Sequence, residues 1–368
     1  MSAALPRFSG VWPLLVLVLL LGLPRVSAEV PVLFDGPLNS PGTLQLLAVG
    51  LTLGAAALSY NLLFGYTGIL SFGHALFFGA GVYLPTIALR QWEWDPLPAL
   101  AFGLVGGLVL AVAVGALSLR THGVYFAMVT LAFAEAGAVI VGKNVGGLTG
   151  GEEGISLPTR PLPDWMVGVR NTDNLYTLAV VVLILAYLVA WRLVTSPLGA
   201  VWQGIRENER RVELLGLRVY PFKLAAFVIA GLMATCTGMV YLFLNSGATP
   251  RAVGAEFTVT LLLMVIIGGS GSLWGPIAGA VLYHYLNVRL TDWAGSDAVA
   301  DLPAVFGRPL RDPLFIFGLV FILLVMFFPR GLAGVLGRRG VRRRVVAQSA
   351  PAPTAAFAPS PATPKDQR

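Results

Sequence analysis

Hydrophobic positions along this chain fall into long uninterrupted blocks, and the polar positions are concentrated in short connectors between them. A helix needs about 20 apolar residues to cross the hydrocarbon core of a bilayer, and several of the blocks reach that length. The pattern therefore predicts an all-α polytopic membrane protein with ten spans. The predicted spans cover residues 8–24, 44–64, 72–89, 97–119, 123–142, 176–195, 223–245, 257–267, 275–290 and 313–329.

The eighth and ninth predicted spans are shorter than the others. They are joined by the glycine-rich stretch GGSGSLWGP, residues 268–276. We therefore expect them to form a hairpin or a broken pair rather than two full helices.

Composition and charge agree with a membrane protein and indicate its orientation. The chain is 56% hydrophobic and 12% charged, which leaves too few charges for the surface of a soluble protein of 368 residues. Ten spans put both termini on one side, and that side receives most of the lysine and arginine residues. Basic residues accumulate on the cytoplasmic side of membrane proteins. We therefore expect a protein of the cytoplasmic (inner) membrane with both termini on the cytoplasmic side. The net charge of +7 is then no argument for nucleic-acid binding.

The two ends of the chain differ from its middle. Residues 1–43 are predicted to form a first helix and an external linker, although the sequence VSA at its end resembles a signal-peptidase site. We favour an uncleaved helix; cleavage would leave nine spans and an external N-terminus. Residues 44–332 are the predicted transmembrane domain. Residues 333–368 are basic, then rich in alanine and proline, and are expected to be a disordered cytoplasmic tail.

A charged segment, residues 196–222, interrupts the apolar pattern on the predicted cytoplasmic side. Ser196 is a favourable N-cap and Pro197 fits the first helical position, while Gly216 suits the left-handed residue that follows a helix. An apolar stripe between these signals predicts one short amphipathic helix. The stripe, interrupted around residues 208–209, consists of Leu198, Val201, Ile205, Val212 and Leu215.

Two interpretations of this helix are open. An interfacial helix that only anchors two spans would present basic residues to lipid phosphates. Here Glu207, Glu209 and Glu213 are mixed among the arginines, and an anionic lipid surface would repel them. Mixed charge favours docking in a groove on a protein partner.

The same segment resembles the cytoplasmic coupling segment of ABC-importer permeases of the branched-chain amino-acid family. The similar stretch is IRENERRVELLGLRVYPFKLAAFVIAG, residues 205–231. Five other stretches match the family in order, so the resemblance covers roughly residues 44–332 and is closest to the M-type subunit. They are NLLFGYTGILSFGHALFFGAGVY (61–83), GVYFAMVTLAFAE (123–135), LTGGEEGI (148–155), GGSGSLWGPIAGA (268–280) and FPRGL (328–332).

The resemblance implies the ABC-importer permease fold and a transport subunit for branched-chain or related amino acids, with urea or short amides as alternative substrates. It implies a related H-type permease or a homologous second permease, two cytoplasmic ATPase subunits and an external solute-binding protein. ATP would be used by the partner, and no cofactor is expected here. The sequence agrees, because none of the lysines, Lys143, Lys223 and Lys365, is followed by the Ser or Thr of a phosphate loop.

The resemblance and the polar residues together give three groups of candidate site residues, and none is expected to be catalytic. The predicted ATPase-coupling residues are Ile205, Arg206, Glu207, Asn208, Glu209, Arg210, Glu213 and Gly216. The predicted substrate path comprises Asn61, Gly65, Thr67, Gly68, Ser71, His74, Glu135, Gly268, Gly269 and Gly271. The predicted loop facing the binding protein comprises Thr149, Gly150, Gly151, Glu152 and Glu153.

Each group has a structural alternative. Thr67, Ser71 and His74 can satisfy backbone groups freed by the glycines, and Gly79, Gly81, Gly103, Gly106 and Gly107 are interpreted as packing residues. Glu135 is predicted to be buried, either beside the substrate path or in a hydrogen bond to a neighbouring helix, with Asn61 and His74 as candidate partners. The loop 149–153 is otherwise a plain acidic turn.

Two other classes of protein fit the sequence less well. An ion-coupled secondary carrier would use Glu135 as its ion site, but one carboxylate is sparse for that task and the charged segment would have none. An intramembrane enzyme lacks an acid–base or nucleophile constellation. The three histidines stand outside any metal-binding motif, so no metal is expected.

Overall fold

The computed structural model describes residues 19–28, 36–158 and 171–295, with scattered positions at 16, between 160 and 165 and between 315 and 334. The predicted spans 8–24 and 313–329, the linker 29–35 and the tail 333–368 lie largely outside these residues. The prediction that divides the chain at residues 43 and 332 therefore stays a prediction.

Each predicted span between residues 44 and 290 corresponds to one helix, with ends that differ by a few residues. The helices are α1 (Pro41–Asn61), α2 (His74–Gln91), α3 (Pro96–Ser118), α4 (Val124–Gly142), α5 (Thr172–Val194), α7 (Val219–Leu244), α8 (Ala255–Gly268) and α9 (Gly275–Ala294). Helix α6 (Pro197–Leu214) lies in the charged segment. Five of the described helices, α1 with its extension to Tyr66, α3, α4, α5 and α7, are long and apolar enough to cross a membrane. Helices α8 and α9 pack against each other, as the hairpin prediction requires.

Helix α1 does not end in a simple cap. It continues into a π-helical turn, Leu62–Tyr66, where the Thr67 hydroxyl donates to the Leu62 carbonyl at 3.0 Å. The chain then runs as an irregular segment, residues 67–73, until α2 begins. π-helical turns inside α-helices often mark functional positions, and the Gly65 carbonyl of this one accepts a hydrogen bond from a side chain of the charged segment.

The loops gather at two ends of the helix bundle. At one end, which we call the Arg206 end, Asn61 Nδ2 donates to the Ser272 carbonyl at 2.8 Å and the Tyr220 hydroxyl donates to the Ala116 carbonyl at 3.1 Å. At the other, which we call the strand end, strand β1 (Ile155–Ser156) pairs antiparallel with strand β2 (Gly247–Ala248). The loops near residues 68, 120, 205 and 270 therefore share one end, as the alternation of spans predicts.

Helices α2 and α7 cross closely because glycines stand at the contact. A Cβ on Gly81 would lie 2.0 Å from the Thr235 carbonyl oxygen, and a Cβ on Gly238 would lie 2.1 Å from that of Phe78. The glycines interpreted above as packing residues all face neighbouring segments: Gly79, Gly81, Gly103, Gly106 and Gly107. Their role in this structure is helix packing.

The helices divide into central and peripheral ones. About 89% of the most apolar window of α1 is buried and 72% of that of α7, against 28% for each of α3, α4 and α5. The three peripheral helices therefore expose broad apolar faces, which need either lipid or another protein to cover them.

Candidate functional site

Helix α6 is two helical pieces joined at Asn208. The backbone of Asn208 is extended, with φ −163° and ψ 101°, and its side-chain Oδ1 accepts a hydrogen bond from the Arg211 amide at 2.9 Å. Asparagine is a favoured N-cap, so it starts the second piece instead of continuing the first. The prediction of one continuous helix is wrong at this point. Gly216 has the predicted left-handed backbone, with φ +84°.

The apolar side of α6 anchors the charged segment to the bundle. Ile205 and Val212 are buried and pack with Val219, and the buried Trp202 donates its indole N–H to the Phe222 carbonyl at 2.9 Å. Leu215, however, is 76% exposed. The prediction that the apolar stripe extends to Leu215 is wrong, because the helix ends at Leu214 and Leu215 is its C-cap residue.

Two of the predicted coupling residues turn toward the bundle. Glu209 forms an ion pair with Lys223 at 2.5 Å, at the start of α7. The Arg206 guanidinium donates from Nη1 to the Gly65 carbonyl at the end of α1. The exposed charges Glu207, Arg210 and Glu213 remain available to a partner.

Arg206 occupies a groove that glycines leave open. A Cβ on Gly68 would lie 2.9 Å from Arg206 Cγ, and a Cβ on Gly271 would lie 2.9 Å from Arg206 Nη1. Both glycines also have positive φ angles, +77° and +79°, which other residues rarely adopt. The two glycine-rich motifs of the sequence thus meet around one arginine of the charged segment.

Asn61, the last residue of α1, also connects the same two glycine-rich motifs. Its Oδ1 accepts from the Gly271 amide at 3.0 Å, and its Nδ2 donates to the Ser272 carbonyl. A Cβ on Gly65 would lie 2.0 Å from that Oδ1. We call Asn61, Gly65, Gly68, Arg206 and Gly271 the glycine node.

The other predicted path residues at this end are buried and bonded within the chain. Thr67 bonds the Leu62 carbonyl and Ser71 Oγ accepts from the Gly73 amide at 3.2 Å, so both satisfy backbone groups as expected. His74 instead pairs through Nε2 with Ser59 Oγ at 2.9 Å.

The two glycines that close α8 have backbone roles. Gly269 ends the helix with φ +102°, and a Cβ on Gly268 would lie 2.0 Å from the Gly275 carbonyl oxygen. The turn into α9 therefore requires glycine at these positions.

Glu135 lies far from the glycine node. The prediction that it is buried is wrong, since its side chain is exposed. It does bond a neighbouring helix, as the structural alternative predicts, but its partner is the Ala255 amide at 3.3 Å and not Asn61 or His74. That amide belongs to the first residue of α8, where a helix favours negative charge. The surrounding face of α4 is apolar, with Met128 61% exposed and Val139 57% exposed.

The predicted loop at residues 149–153 is a firmly held turn at the strand end. Asn144 Oδ1 accepts from the amides of Thr149 and Gly150 at 2.9 and 3.0 Å, and the Thr149 hydroxyl donates to the Val141 carbonyl at 2.7 Å. Gly150 and Gly151 have positive φ angles. Glu152 and Glu153 are both exposed. Asn144 therefore holds the turn together, and no sequence motif around this residue predicted that role.

An open cleft of about 450 Å³ lies beside this turn. Its lining joins Glu152 to the segment that follows α7, including Arg251, which sequence analysis did not select. Among the residues that the structure describes, no group of three or more His, Cys, Asp or Glu side chains could hold a metal ion. The polar groups of the charged segment, the glycine node and the cleft can therefore bind other molecules through hydrogen bonds and ion pairs.

Comparison with known proteins places the chain in a family. Residues 42–328 match the family model described as the permease component of branched-chain amino acid transport systems. The permease protein LivM of a high-affinity branched-chain amino acid transport system of Salmonella typhimurium is 28% identical over 272 residues, 66% of this chain. A probable LivM of Methanocaldococcus jannaschii is 26% identical, with 75% of this chain and 88% of the relative covered.

A second type of relative also matches. The permease protein LivH of Salmonella typhimurium is 26% identical over 317 residues, 82% of this chain and 97% of the relative. The chain spans 62% of the length of the Salmonella LivM relative, and no solved structure matches it. Because the family model covers most of the sequence, including both glycine motifs and the charged segment, this chain belongs to the permease components of branched-chain amino acid transport systems.

Proposed function

We propose that this chain is a permease subunit of an ATP-binding-cassette importer that carries branched-chain amino acids or related amino acids across the cytoplasmic membrane. The observation that carries the proposal is the contact of Arg206, in the charged segment, with Gly65 at the end of a membrane helix. Such a contact lets a protein outside the membrane move groups inside it. The names of the relatives support branched-chain amino acids as substrates; urea or short amides are the alternative within the same architecture.

The charged segment divides into residues that hold it and residues that meet a partner. Arg206 and Glu209 bind groups of this chain, whereas Glu207, Arg210 and Glu213 point away from the bundle. Leu214 adds an apolar contact beside these charges, since it is 81% exposed. We infer that this mixed surface docks on a separate ATPase subunit, which hydrolyses ATP for transport.

Movement would pass from the ATPase to the membrane through the glycine node. When α6 shifts, Arg206 carries the Gly65 carbonyl with it, and Asn61 couples that displacement to Gly271 at the turn between α8 and α9. Gly65, Asn61 and Gly271 all lie at the Arg206 end of the bundle, where α1 and α8 end and α9 begins. The expected result is alternating access, with the inner mouth of the pathway opening and closing as the ATPases close and separate.

The broad face of α4 is the place where we infer contact with a second permease of the H-type or a homologous one. A carboxylate in the middle of a span is costly in lipid and normally faces protein or water. Glu135 is exposed on this face, which supports a protein or a water-filled pathway against it. The similarity of this chain to both LivM and LivH relatives supports such a pair.

Charge reversal in the charged segment tests the proposal. When this chain is expressed with the proteins encoded beside it and purified by a tag, we expect an ATPase and a second permease to be captured. The double variant Glu207→Arg/Arg210→Glu should lower ATPase capture at least about tenfold, because charge complementarity across the interface becomes repulsion. Glu153→Arg, at the strand end, is the matched control and should leave capture unchanged.

A different outcome would favour the ion-coupled carrier. If membrane vesicles containing this chain alone take up substrate, and if a protonophore abolishes that uptake while ATP has no effect, the chain works without an ATPase. The importer proposal would then be rejected.

Side-specific labelling tests the proposed orientation, with ten spans and both termini inside. In a chain whose Cys236 is replaced by serine, Leu214→Cys should react with a membrane-impermeant maleimide only in inverted vesicles. Glu153→Cys should react only in intact spheroplasts. Labelling of the cysteine at position 214 from outside would contradict docking of a cytoplasmic ATPase.

A further inference from the structure

The cleft at the strand end has the size of a small-molecule site. Its volume of about 450 Å³ falls within the range of roughly 300–1,000 Å³ found for ligand pockets. It lies between the turn Gly151–Glu153, the end of α7 and the start of α8, and therefore at the opposite end from the glycine node. The lining residues are Glu152, Tyr241, Asn245, Thr249, Arg251 and Phe257, with Pro250 and Ala252.

Two opposite charges line this cleft without neutralising each other. Glu152 supplies a carboxylate and Arg251 a guanidinium, and both side chains are exposed. Within the described ranges the ion pair that forms joins Lys223 to Glu209, and Lys223 lies near the opposite end of α7 from the cleft. One wall of the cleft can therefore receive a cationic group while another receives an anionic one.

Aromatic rings form the apolar part of the cleft. Phe257 and Tyr241 both pack against Phe78, with ring centroids 4.6 and 5.2 Å from that of Phe78. Their positions are thereby tied to the core of α2. Beside them, the Asn245 amide group and the Thr249 hydroxyl add neutral polar groups.

The two charged walls are held in register by the backbone. Strands β1 and β2 pair Ile155 with Ala248, which ties the segment after Glu152 to the segment before Arg251. A Cβ on Gly154 would lie 2.1 Å from the Ala248 carbonyl oxygen, so the two segments touch directly. Glu152 and Arg251 are about a hundred residues apart in sequence, yet their spacing is fixed by the fold.

We propose that this cleft binds a free amino acid as its zwitterion. The ammonium group is received by Glu152, the carboxylate by Arg251, and an aliphatic side chain lies against Tyr241 and Phe257. A guanidinium matches a carboxylate well because its N–H groups form a planar fork. This inference rests on the proposed function: the cleft is then the first position of the substrate on the permease after its release outside.

Saturation-transfer NMR on the purified chain in detergent tests the site with three probes at millimolar concentration. L-Leucine carries both charges, leucinamide keeps only the ammonium group, and isocaproate keeps only the carboxylate. Glu152→Gln should weaken binding of leucine and leucinamide about tenfold and leave isocaproate unchanged, since a charge-assisted hydrogen bond is lost. Arg251→Gln should weaken leucine and isocaproate by a similar factor and leave leucinamide unchanged.

Glu153→Gln is the control, because its carboxylate neighbours Glu152 in sequence but does not line the cleft. Binding of all three probes should survive that change. Absence of leucine binding to the unmodified chain, or leucine binding that neither substitution alters, would overturn the proposal. The proposal would also be overturned if Glu152→Gln or Arg251→Gln released an external binding protein but left the leucine signal intact. ATPase capture tests the importer proposal, and it does not depend on leucine binding to the cleft. The two proposals can therefore fail independently of each other.

Discussion

Replacement of Arg206 by alanine is expected to lower ATP-driven uptake about a hundredfold, while the ATPase subunits stay bound and continue to hydrolyse ATP. The guanidinium of Arg206 donates to the Gly65 carbonyl and lies against Gly68 and Gly271. Alanine removes this connection but keeps the exposed charges of the docking surface. Uptake and hydrolysis measured together in proteoliposomes of the complete importer would reveal the loss of coupling.

Arg206→Lys is the informative companion variant. Lysine keeps a positively charged donor for the Gly65 carbonyl but loses the planar guanidinium that fills the groove between the glycines. Uptake should therefore be intermediate. If the alanine variant instead loses its ATPase subunits, and hydrolysis disappears together with uptake, Arg206 contacts the ATPase directly and the glycine node is not the route of transmission.

Gly238→Ala should destabilise the protein by about 3 kcal/mol, because overpacking forces the backbones of two helices apart. The new methyl group would lie 2.1 Å from the Phe78 carbonyl oxygen, where α7 crosses α2. For a chain of 368 residues a loss of this size corresponds to a thermal midpoint lower by roughly 4 °C. The measurement is the temperature at which the detergent-solubilised protein loses its monodisperse peak in size-exclusion chromatography.

Gly142→Ala provides the comparison, because a Cβ at Gly142 has no atom within 4 Å. Alanine also favours the helical backbone by about 1 kcal/mol over glycine, so this variant should be as stable as the parent or slightly more so. Equal midpoints for the two variants would mean that α2 and α7 separate easily, contrary to the close crossing described here.

Hydropathy predicted the helices well because their length and apolarity follow from the sequence alone. Each described span between residues 41 and 294 was located within a few residues. The break in α6 was not predicted, although the apolar stripe weakened at the right place. A stripe records which residues face the bundle, whereas the break depends on the Asn208 side chain capping the Arg211 amide.

The candidate site was predicted less completely than the helices. Glycine motifs identified the segments of the glycine node, and charge identified the segment that carries Arg206. The direction of Glu135 could not be read, because α4 is apolar on all sides and its hydropathy does not distinguish buried from exposed faces. The cleft was missed since Glu152 and Arg251 are brought together only by the pairing of β1 with β2.

The outward direction of Glu135 also bears on how the cell handles newly made copies of this chain. A carboxylate facing hydrocarbon costs up to about 2.5–3.5 kcal/mol at the centre of a helix, and a protein or a water-filled pathway against this face removes that cost. Solitary copies would thus be suitable substrates for membrane proteases, and matched synthesis of the two permeases would protect both. Balanced stoichiometry would then be enforced by degradation of the surplus rather than by regulation of synthesis alone.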